Sequence, residues 1–155
     1  MKRQGESLFH PFPNLTSWNN FYLYTMSEDT LILKRTLTPA FTDARGDIFD
    51  VVEKPISHVG LIVSTVGAVR GNHYHKASTQ YTYVVKGQFK FITSDIDGNN
   101  RVETILEEGD YSEIPPGVVH TYVALTPGAT FLDMTTLARG EKGYEEDTVR
   151  VNDRS

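Results

Sequence analysis

Short stretches rich in β-branched and aromatic residues follow one another along this chain. Within 81–86 the residues Tyr, Tyr and Val alternate with Thr, Val and Lys. Since successive side chains of a strand point to opposite faces, this pattern is typical of a strand with one buried face. No stretch carries a sustained helical period. The pattern predicts strands over Leu31–Leu37, Asp47–Glu53, His58–Val66, Gln80–Ser94, Arg101–Leu106, Tyr111–Ile114 and Val119–Leu137.

Turn residues divide these segments at short spacing. Lys86-Gly87 and Thr126-Pro127-Gly128 fall inside the two longest segments. Many short strands with frequent turns indicate an all-β sandwich or barrel. The expected organisation is an N-terminal arm or upstream extension over 1–25, a single β-barrel over 26–140, and a polar surface tail over 141–155 that holds one short strand near Thr148–Val151.

Composition narrows the class of protein. A chain of 155 residues and 17.4 kDa with a net charge of -5 fits one globular domain and argues against a general nucleic-acid surface. It contains no cysteine, which excludes disulfides and thiolate metal ligands. No apolar run approaches the ~18 residues of a membrane span, and the N-terminus does not resemble a secretory signal. These features predict a cytoplasmic protein without a membrane or nucleic-acid partner.

Three histidines and a glutamine are spaced so that a small barrel can gather them in one pocket. His73 and His75 lie two apart and share a strand face, Gln80 follows, and His120 comes from a separate strand after a Pro-Pro-Gly turn. Nitrogen and oxygen donors of this kind suit a divalent transition metal such as Mn, Fe, Ni or Zn. The alternative is a hydrogen-bonded barrel interior that holds no metal.

The same histidines also suit proton transfer. An unperturbed imidazole has a pKa near 6.5, so His73, His75 or His120 can take or give a proton at neutral pH. Whichever of Tyr81 and Tyr83 faces inward can contribute a hydroxyl to the proton transfer. We take Tyr83 as the candidate catalytic tyrosine. The alternative for either tyrosine is packing across strands.

Positive charge is concentrated around the histidine pair. Arg70 and Lys76 flank it, and Arg45 lies upstream in the sequence Asp-Ala-Arg-Gly. Because a guanidinium offers a bidentate fork to phosphate or carboxylate, these residues predict an anionic small-molecule substrate, with Gln80 as a further binding residue. Ordinary surface ion pairs are the alternative, above all for Lys76.

Two segments, Gly67–Gly87 and Gly109–His120, resemble the two conserved motifs of the cupins. Those motifs read G-x5-H-x-H-x3-4-E-x6-G and G-x5-P-x-G-x2-H-x3-N. The chain departs from them at Gln80, where glutamate is usual, and at Ala124, where asparagine is usual. The resemblance implies a cupin double-stranded β-helix, which is a jelly-roll barrel.

A closer resemblance joins the first motif to the nucleotide-sugar cupins, above all the TDP-4-keto-6-deoxyglucose 3,4-ketoisomerases. Their pattern R-G-x-H-x-H-K-x3-Q-x6-G is matched from Arg70 to Gly87. The cupin domains of capsular-polysaccharide enzymes, some of which hold zinc, are also similar. The resemblance implies that His75 moves the proton at C3 and that Arg45 and Arg70 bind the diphosphate. It further implies a dimer with exchanged N-terminal strands and no required metal.

Three functions remain open at this stage. The leading hypothesis is an isomerase or epimerase of keto-sugar nucleotides in polysaccharide biosynthesis, with His75 as acid/base and His73 and His120 assisting. The second is a metal-dependent cupin, such as a dioxygenase or decarboxylase, with its metal held by His73, His75, Gln80 and His120. The third is a non-catalytic small-molecule-binding barrel. A homodimer is expected, because barrels with exposed edge strands commonly pair them.

Overall fold

The computed structural model describes residues 31–140 and 143–151. These residues form twelve strands and one five-residue helix. The strands are β1 (Leu33–Thr36), β2 (Phe41–Asp43), β3 (Gly46–Ile48), β4 (His58–Ser64), β5 (Val69–His75), β6 (Gln80–Lys86), β7 (Gln88–Ser94), β8 (Val102–Glu107), β9 (Asp110–Ile114), β10 (Val119–Ala124), β11 (Ala129–Thr135) and β12 (Thr148–Arg150). Helix α1 (Gly143–Asp147) lies directly before β12.

Ten of these strands form two five-stranded antiparallel sheets. The first sheet has the order β1-β9-β6-β11-β4, the second has the order β12-β5-β10-β7-β8, and β2 and β3 form a separate hairpin. Most neighbours within a sheet are not consecutive in the chain, as expected when the chain crosses repeatedly between two sheets of a jelly roll. The prediction of an all-β fold is confirmed.

Side chains from both sheets meet in one apolar core. Tyr122 packs between Phe91 and Phe131, with ring centroids 4.6 and 4.7 Å away. Its hydroxyl lies 2.8 Å from Thr82 Oγ1, so this ring joins the apolar core to the polar part of the barrel interior. The buried core residues are Val84, Phe89, Phe91, Leu106, Ile114, Val118, Tyr122, Ala124, Ala129 and Phe131.

A second apolar cluster, centred on Tyr81, Tyr111 and Met134, covers the outer face of the first sheet. Tyr83 packs against this outer cluster. The alternation predicted over 81–86 explains why both tyrosines lie on the outer face of the sheet, because the neighbouring residues of β6 face the barrel interior.

One predicted strand was misplaced. The segment Asp47–Glu53 was expected to be a strand, but β3 ends at Ile48 and the chain continues without regular structure. Val51 and Val52 instead pack against the outer cluster, so their apolar character serves packing rather than strand pairing. Strand β5, which carries the histidine pair, was expected from the motif rather than from the apolar pattern.

The C-terminal residues join the barrel. Strand β12 lies where a short strand was predicted, and it pairs with β5 through Thr148↔His75 and Arg150↔His73. Asp147 is buried. This segment is therefore attached to the barrel wall, whereas the sequence placed it in a surface tail. The predicted N-terminal arm over 1–25 lies outside the described residues. Within the described part of the chain, no helix is long and apolar enough to cross a membrane.

Candidate functional site

The structure brings together the four residues predicted to share a pocket. His73 and His75 extend from β5 and His120 from the neighbouring β10, while Gln80 faces them from β6 of the first sheet. The ring centroid of His73 lies 5.0 Å from that of His75 and 4.7 Å from that of His120. One ring nitrogen from each histidine can be chosen so that all three lie within 4.8 Å of one another.

A β-bulge in β5 sets the direction of the His73 and His75 side chains. His73 pairs with His120 and Gly71 with Thr121, so Asn72 is an extra residue between two regular pairs. Gly71 and Asn72 both have positive φ, 93° and 53°, which glycine and asparagine tolerate best. Such bulges commonly redirect side chains next to functional sites.

The surroundings of His120 fix its tautomer. The side chain is buried, and its Nδ1 lies 3.0 Å from the carbonyl oxygen of Val118. A carbonyl can only accept, so Nδ1 carries the proton. Burial lowers the pKa of His120 to about 3, helped by the nearby ring of His73. The neutral ring therefore presents the lone pair of Nε2 to the interior.

The Nδ1 atom of His75 also faces an acceptor. Asp147 Oδ2 lies 3.2 Å from it. Burial alone would raise the pKa of Asp147, but hydrogen bonds from the Ser78 hydroxyl and from the backbone N–H groups of Ala77 and Ser78 hold it below its usual range. An ionised Asp147 therefore orients His75 with Nδ1–H toward the carboxylate and with Nε2 facing inward.

The Nε2 lone pair of His120 faces the amide oxygen of Gln80, which is also an acceptor. Gln80 Oε1 lies 3.0 Å from His75 Nε2 and 3.1 Å from His120 Nε2. Two arrangements remove the conflict. The amide can turn over so that its two N–H groups donate to the two rings, with its oxygen then facing Tyr122 Oη. Alternatively, a cation between the three acceptors is bound by all of them.

The residues present fit a divalent transition metal. Neutral imidazole nitrogens and an amide oxygen are suitable ligands, and the acceptor behind each Nδ1 is the usual support for a metal-binding histidine. His73, His75 and His120 could form such a site, and Gln80, the fourth predicted ligand, lies with its Oε1 3.0 and 3.1 Å from two of their ring nitrogens.

A cavity of about 300 Å³ opens beside this cluster. Burial, together with nearby positive charge from His75, Arg150 and Arg139, lowers the pKa of His73 to about 4, so its ring is neutral at physiological pH. Arg70 is exposed, and its guanidinium binds Ser64 Oγ and the Val63 carbonyl. The lining residues are Ile62, Val69, Arg70, Gly71, His73, Gln80, His120, Tyr122, Phe131, Asp133, Arg139 and Tyr144.

An ion pair lies on the wall that the first sheet contributes. Asp133, on β11, is 4% exposed and its Oδ2 accepts a 2.5 Å hydrogen bond from Arg139 Nη2. The Arg139 guanidinium lies 4.6 Å from the ring centroid of Tyr144. Burial raises the pKa of Asp133, although Arg139 and the nearby histidines oppose this shift.

Three predicted residues lie away from the cavity. Tyr83 belongs to the outer cluster because its position in β6 points it out of the barrel, so the expectation of a catalytic Tyr83 was wrong. Arg45 is exposed in the β2–β3 turn, where it pairs with Asp43 at 2.6 Å. Lys76 donates to the Glu146 carbonyl at 2.5 Å. Neither cation lines the cavity described above.

Sequence reasoning missed five residues of the site: Tyr122, Asp133, Arg139, Tyr144 and Asp147. Tyr122 could have been found, because it lies two residues after His120 on the same strand and so shares its face. No sequence pattern indicates that Asp147 approaches His75 from so far along the chain. That contact exists only because β12 pairs with β5.

A larger groove of about 720 Å³ lies at β1 and the outer cluster. Its lining includes Leu33, Arg35, Asp50 and Tyr111, and none of the predicted site residues. His73, Gln80 and His120 line the smaller cavity instead, so the smaller cavity is the candidate site.

Comparison with known proteins agrees with this fold. Residues 60–134 match the family model for the cupin domain, and the all-β fold agrees with the cupin jelly roll that the two motifs predicted. No curated protein sequence matches the chain significantly.

Solved structures with the same fold include sugar-nucleotide enzymes. The 3'-monoepimerase ChmJ of Streptomyces bikiniensis, in complex with dTDP-quinovose, has a TM-score of 0.66 at 17% identity, covering 79% of this chain and 70% of ChmJ. The rmlC epimerase of Mycobacterium tuberculosis has a TM-score of 0.67 at 17% identity, covering 81% and 71%. The 3,4-ketoisomerase QdtA of Thermoanaerobacterium thermosaccharolyticum, in complex with TDP, has a TM-score of 0.65 at 20% identity, covering 85% and 92%.

Proposed function

We propose that this protein is an isomerase or epimerase of keto-sugar nucleotides that works by histidine-mediated proton transfer. The observation that carries the proposal is the pair formed by His75 and Asp147, set against the neutral rings of His73 and His120 beside a cavity. The shared fold supports it, since ChmJ holds dTDP-quinovose and QdtA holds TDP.

The chemistry required is the transfer of a proton next to a ketone. His75, held by Asp147, removes the proton from the carbon beside the carbonyl, and the electron pair moves onto the carbonyl oxygen to give an enolate. Returning a proton to the opposite face of the same carbon inverts it. Returning it to the former carbonyl carbon, while the neighbouring hydroxyl proton passes to the former carbonyl oxygen, exchanges ketone and hydroxyl. In both cases the protons balance and no oxidant is needed.

The entrance to the cavity suits an anionic group. Arg70 is exposed in the lining of the cavity. Arg139 and Arg150 contribute positive charge, which helps to lower the pKa of His73. A diphosphate bound by Arg70 would remain near solvent while the sugar occupies the interior. For Arg45 and Lys76, which do not line the cavity, contact with the anionic group rests on the sequence alone.

The test is turnover of TDP-4-keto-6-deoxyglucose in heavy water. His75→Asn removes the base but keeps an amide that can donate to Asp147, so we expect an intact fold with no product and no deuterium incorporation. Asp147→Asn should lower kcat by about 100-fold with little change in KM, since Asp147 positions His75 without contacting substrate.

His73→Asn is the informative comparison, because His73 lines the cavity and lies beside His75. If His75→Asn retains deuterium exchange and His73→Asn loses it, the base is His73 and the assignment to His75 is wrong. If the unmodified protein neither binds nor converts any keto-sugar nucleotide, the proposed function itself is wrong.

A second candidate is a metal-dependent cupin. The observation that favours it is the convergence of two imidazole Nε2 atoms on Gln80 Oε1. A bound divalent metal would supply Lewis-acid or redox chemistry at this point. Elemental analysis of protein purified without chelator decides occupancy: near-stoichiometric Mn, Fe, Ni or Zn that is lost in His73→Ala would favour this candidate.

A further inference from the structure

A carboxylate oxygen of Asp133 lacks a partner although it is buried at the cavity. Oδ2 is bound by Arg139, but Oδ1 is inaccessible to solvent and has no hydrogen-bond partner among the described residues. Burying an unpaired carboxylate oxygen costs free energy, and each such group calls for an explanation. Asp133 lines the same cavity as His73 and His120, facing them from the opposite sheet.

The residues around this oxygen give it no hydrogen bond. Gly60 lies opposite Asp133 in the β4–β11 pairing and offers no side chain, and the ring of His58, whose Nε2 is also buried without a hydrogen-bond partner, lies next to Gly60. The nearby Tyr122 hydroxyl already lies 2.8 Å from Thr82 Oγ1. Because Oδ1 has no solvent-accessible surface, a ligand hydroxyl would reach it only after a shift of the Asp133 side chain or of its neighbours.

We infer that Asp133 is a specificity-determining residue that accepts a hydrogen bond through Oδ1 from a hydroxyl of the bound sugar. Because the group is a carboxyl already paired with Arg139, it selects an uncharged, hydroxyl-bearing moiety and disfavours a carboxylate in the interior. The anionic part of the ligand is then held toward Arg70. This inference rests on the proposed function and names the part of the substrate that the interior accepts.

The selectivity has a known physical basis. A site built to bond a substrate hydroxyl rejects analogues that lack it more strongly than an apolar pocket can, because the polar group of the protein is then left unpaired. Asp133→Asn keeps the shape and the contact to Arg139, since its amide oxygen can accept from the guanidinium. It then presents N–H groups where the carboxylate presented an acceptor.

The experiment is calorimetric titration with TDP-4-keto-6-deoxyglucose and with its analogues lacking the C2 or the C3 hydroxyl, using the full chain. Wild type should bind one of the two analogues at least tenfold more weakly than the parent sugar. In Asp133→Asn that ratio should fall to about threefold or less. Asp43→Asn, which removes the carboxylate of another Asp–Arg pair on the exposed β2–β3 hairpin, should leave the wild-type ratio unchanged.

The outcomes separate the inference from the function on which it rests. If wild type binds and converts the sugar nucleotide but Asp133→Asn weakens all three ligands equally, Asp133 has only a structural role and the inference is overturned. The same follows if wild type does not distinguish the analogues. If wild type binds none of the three compounds, the proposed function is overturned, and the inference with it.

Discussion

At the scale of single residues, the site is organised by the hydrogen-bond acceptors that face the Nδ1 atoms of His75 and His120. A backbone carbonyl behind His120 and a carboxylate behind His75 place both protons on Nδ1. The Nε2 atoms of both rings then face the same side-chain amide. The arrangement suits an incoming proton or cation, which is the property shared by the two candidate functions.

Replacing Gln80 with glutamate tests whether this cluster binds a metal cation. The introduced carboxylate would add a negative charge between two imidazole rings, so Gln80→Glu should tighten binding of Mn²⁺ or Zn²⁺ by about tenfold or more. Titration calorimetry on chelator-treated protein measures the change. Gln88→Glu, on β7 and outside the cluster, is the matched control. Equal affinities in wild type and Gln80→Glu would contradict a metal site built on this residue.

The depressed pKa of His120 predicts a loss of stability in acid. With a pKa of about 3 in the folded chain and about 6.5 in the unfolded chain, the unfolded state binds more protons below pH 6.5. The contribution is fully present above pH 6.5 and declines as pH falls toward 3. Between pH 6.5 and 5 it should remove about 1 to 2 kcal/mol from the free energy of unfolding.

Urea unfolding at pH 6.5 and pH 5 measures this loss. His120→Asn cannot titrate, yet its amide can still donate to Val118 O, so its stability should fall less between the two pH values than that of wild type. The comparison uses the change within each protein, because the substitution itself alters stability. An identical fall in both proteins would show that His120 is not the group responsible.

At the scale of elements, the bulge in β5 connects backbone geometry to the site. A Cβ atom at Gly71 would lie 2.5 Å from the His120 carbonyl oxygen, a backbone atom that cannot move without shifting β10. Asn72 ties the same bulge to the C-terminal residues, since its Nδ2 donates to Val151 O at 2.7 Å.

Gly71→Ala should therefore destabilise the fold by about 3 kcal/mol, which combines positive-φ strain with the clash against β10. Gly98→Ala is the matched control, because Gly98 also has positive φ but has open space around its missing Cβ. It should cost only about 1 kcal/mol. Chemical denaturation measures both, and equal losses would mean that contact with β10 contributes nothing.

The strands also show which parts of the site could be predicted from the sequence and which could not. The spacing of His73 and His75 and the turn before His120 were enough to predict one pocket, because strand period and turn residues are local properties. The contact between Asp147 and His75 was not predictable, since it depends on pairing between strands distant in sequence. Tyr83 was misassigned because alternation shows that neighbouring side chains face opposite ways but not which way is inward.

At the scale of the whole molecule, one face of the barrel lacks cover among the described residues. Strand β4 is an edge of the first sheet, and its outward side chains Val59, Leu61 and Val63 are 57%, 61% and 56% exposed. An edge strand with an apolar outer face is a ready surface for pairing with another chain. We propose that a second copy covers it, in line with the homodimer expected from sequence.

Leu61→Glu tests this proposal, because a charge at the middle of the strip would have to be buried without a partner in the dimer. Wild type should sediment at about twice the monomer mass of 17.4 kDa, and Leu61→Glu should sediment as a monomer with an unchanged circular dichroism spectrum. Ile96→Glu introduces the same charge at another exposed apolar residue, 49% exposed in the β7–β8 turn, and should remain dimeric. A monomeric wild type, or a Leu61→Glu variant that still dimerises, would show that β4 is not the interface.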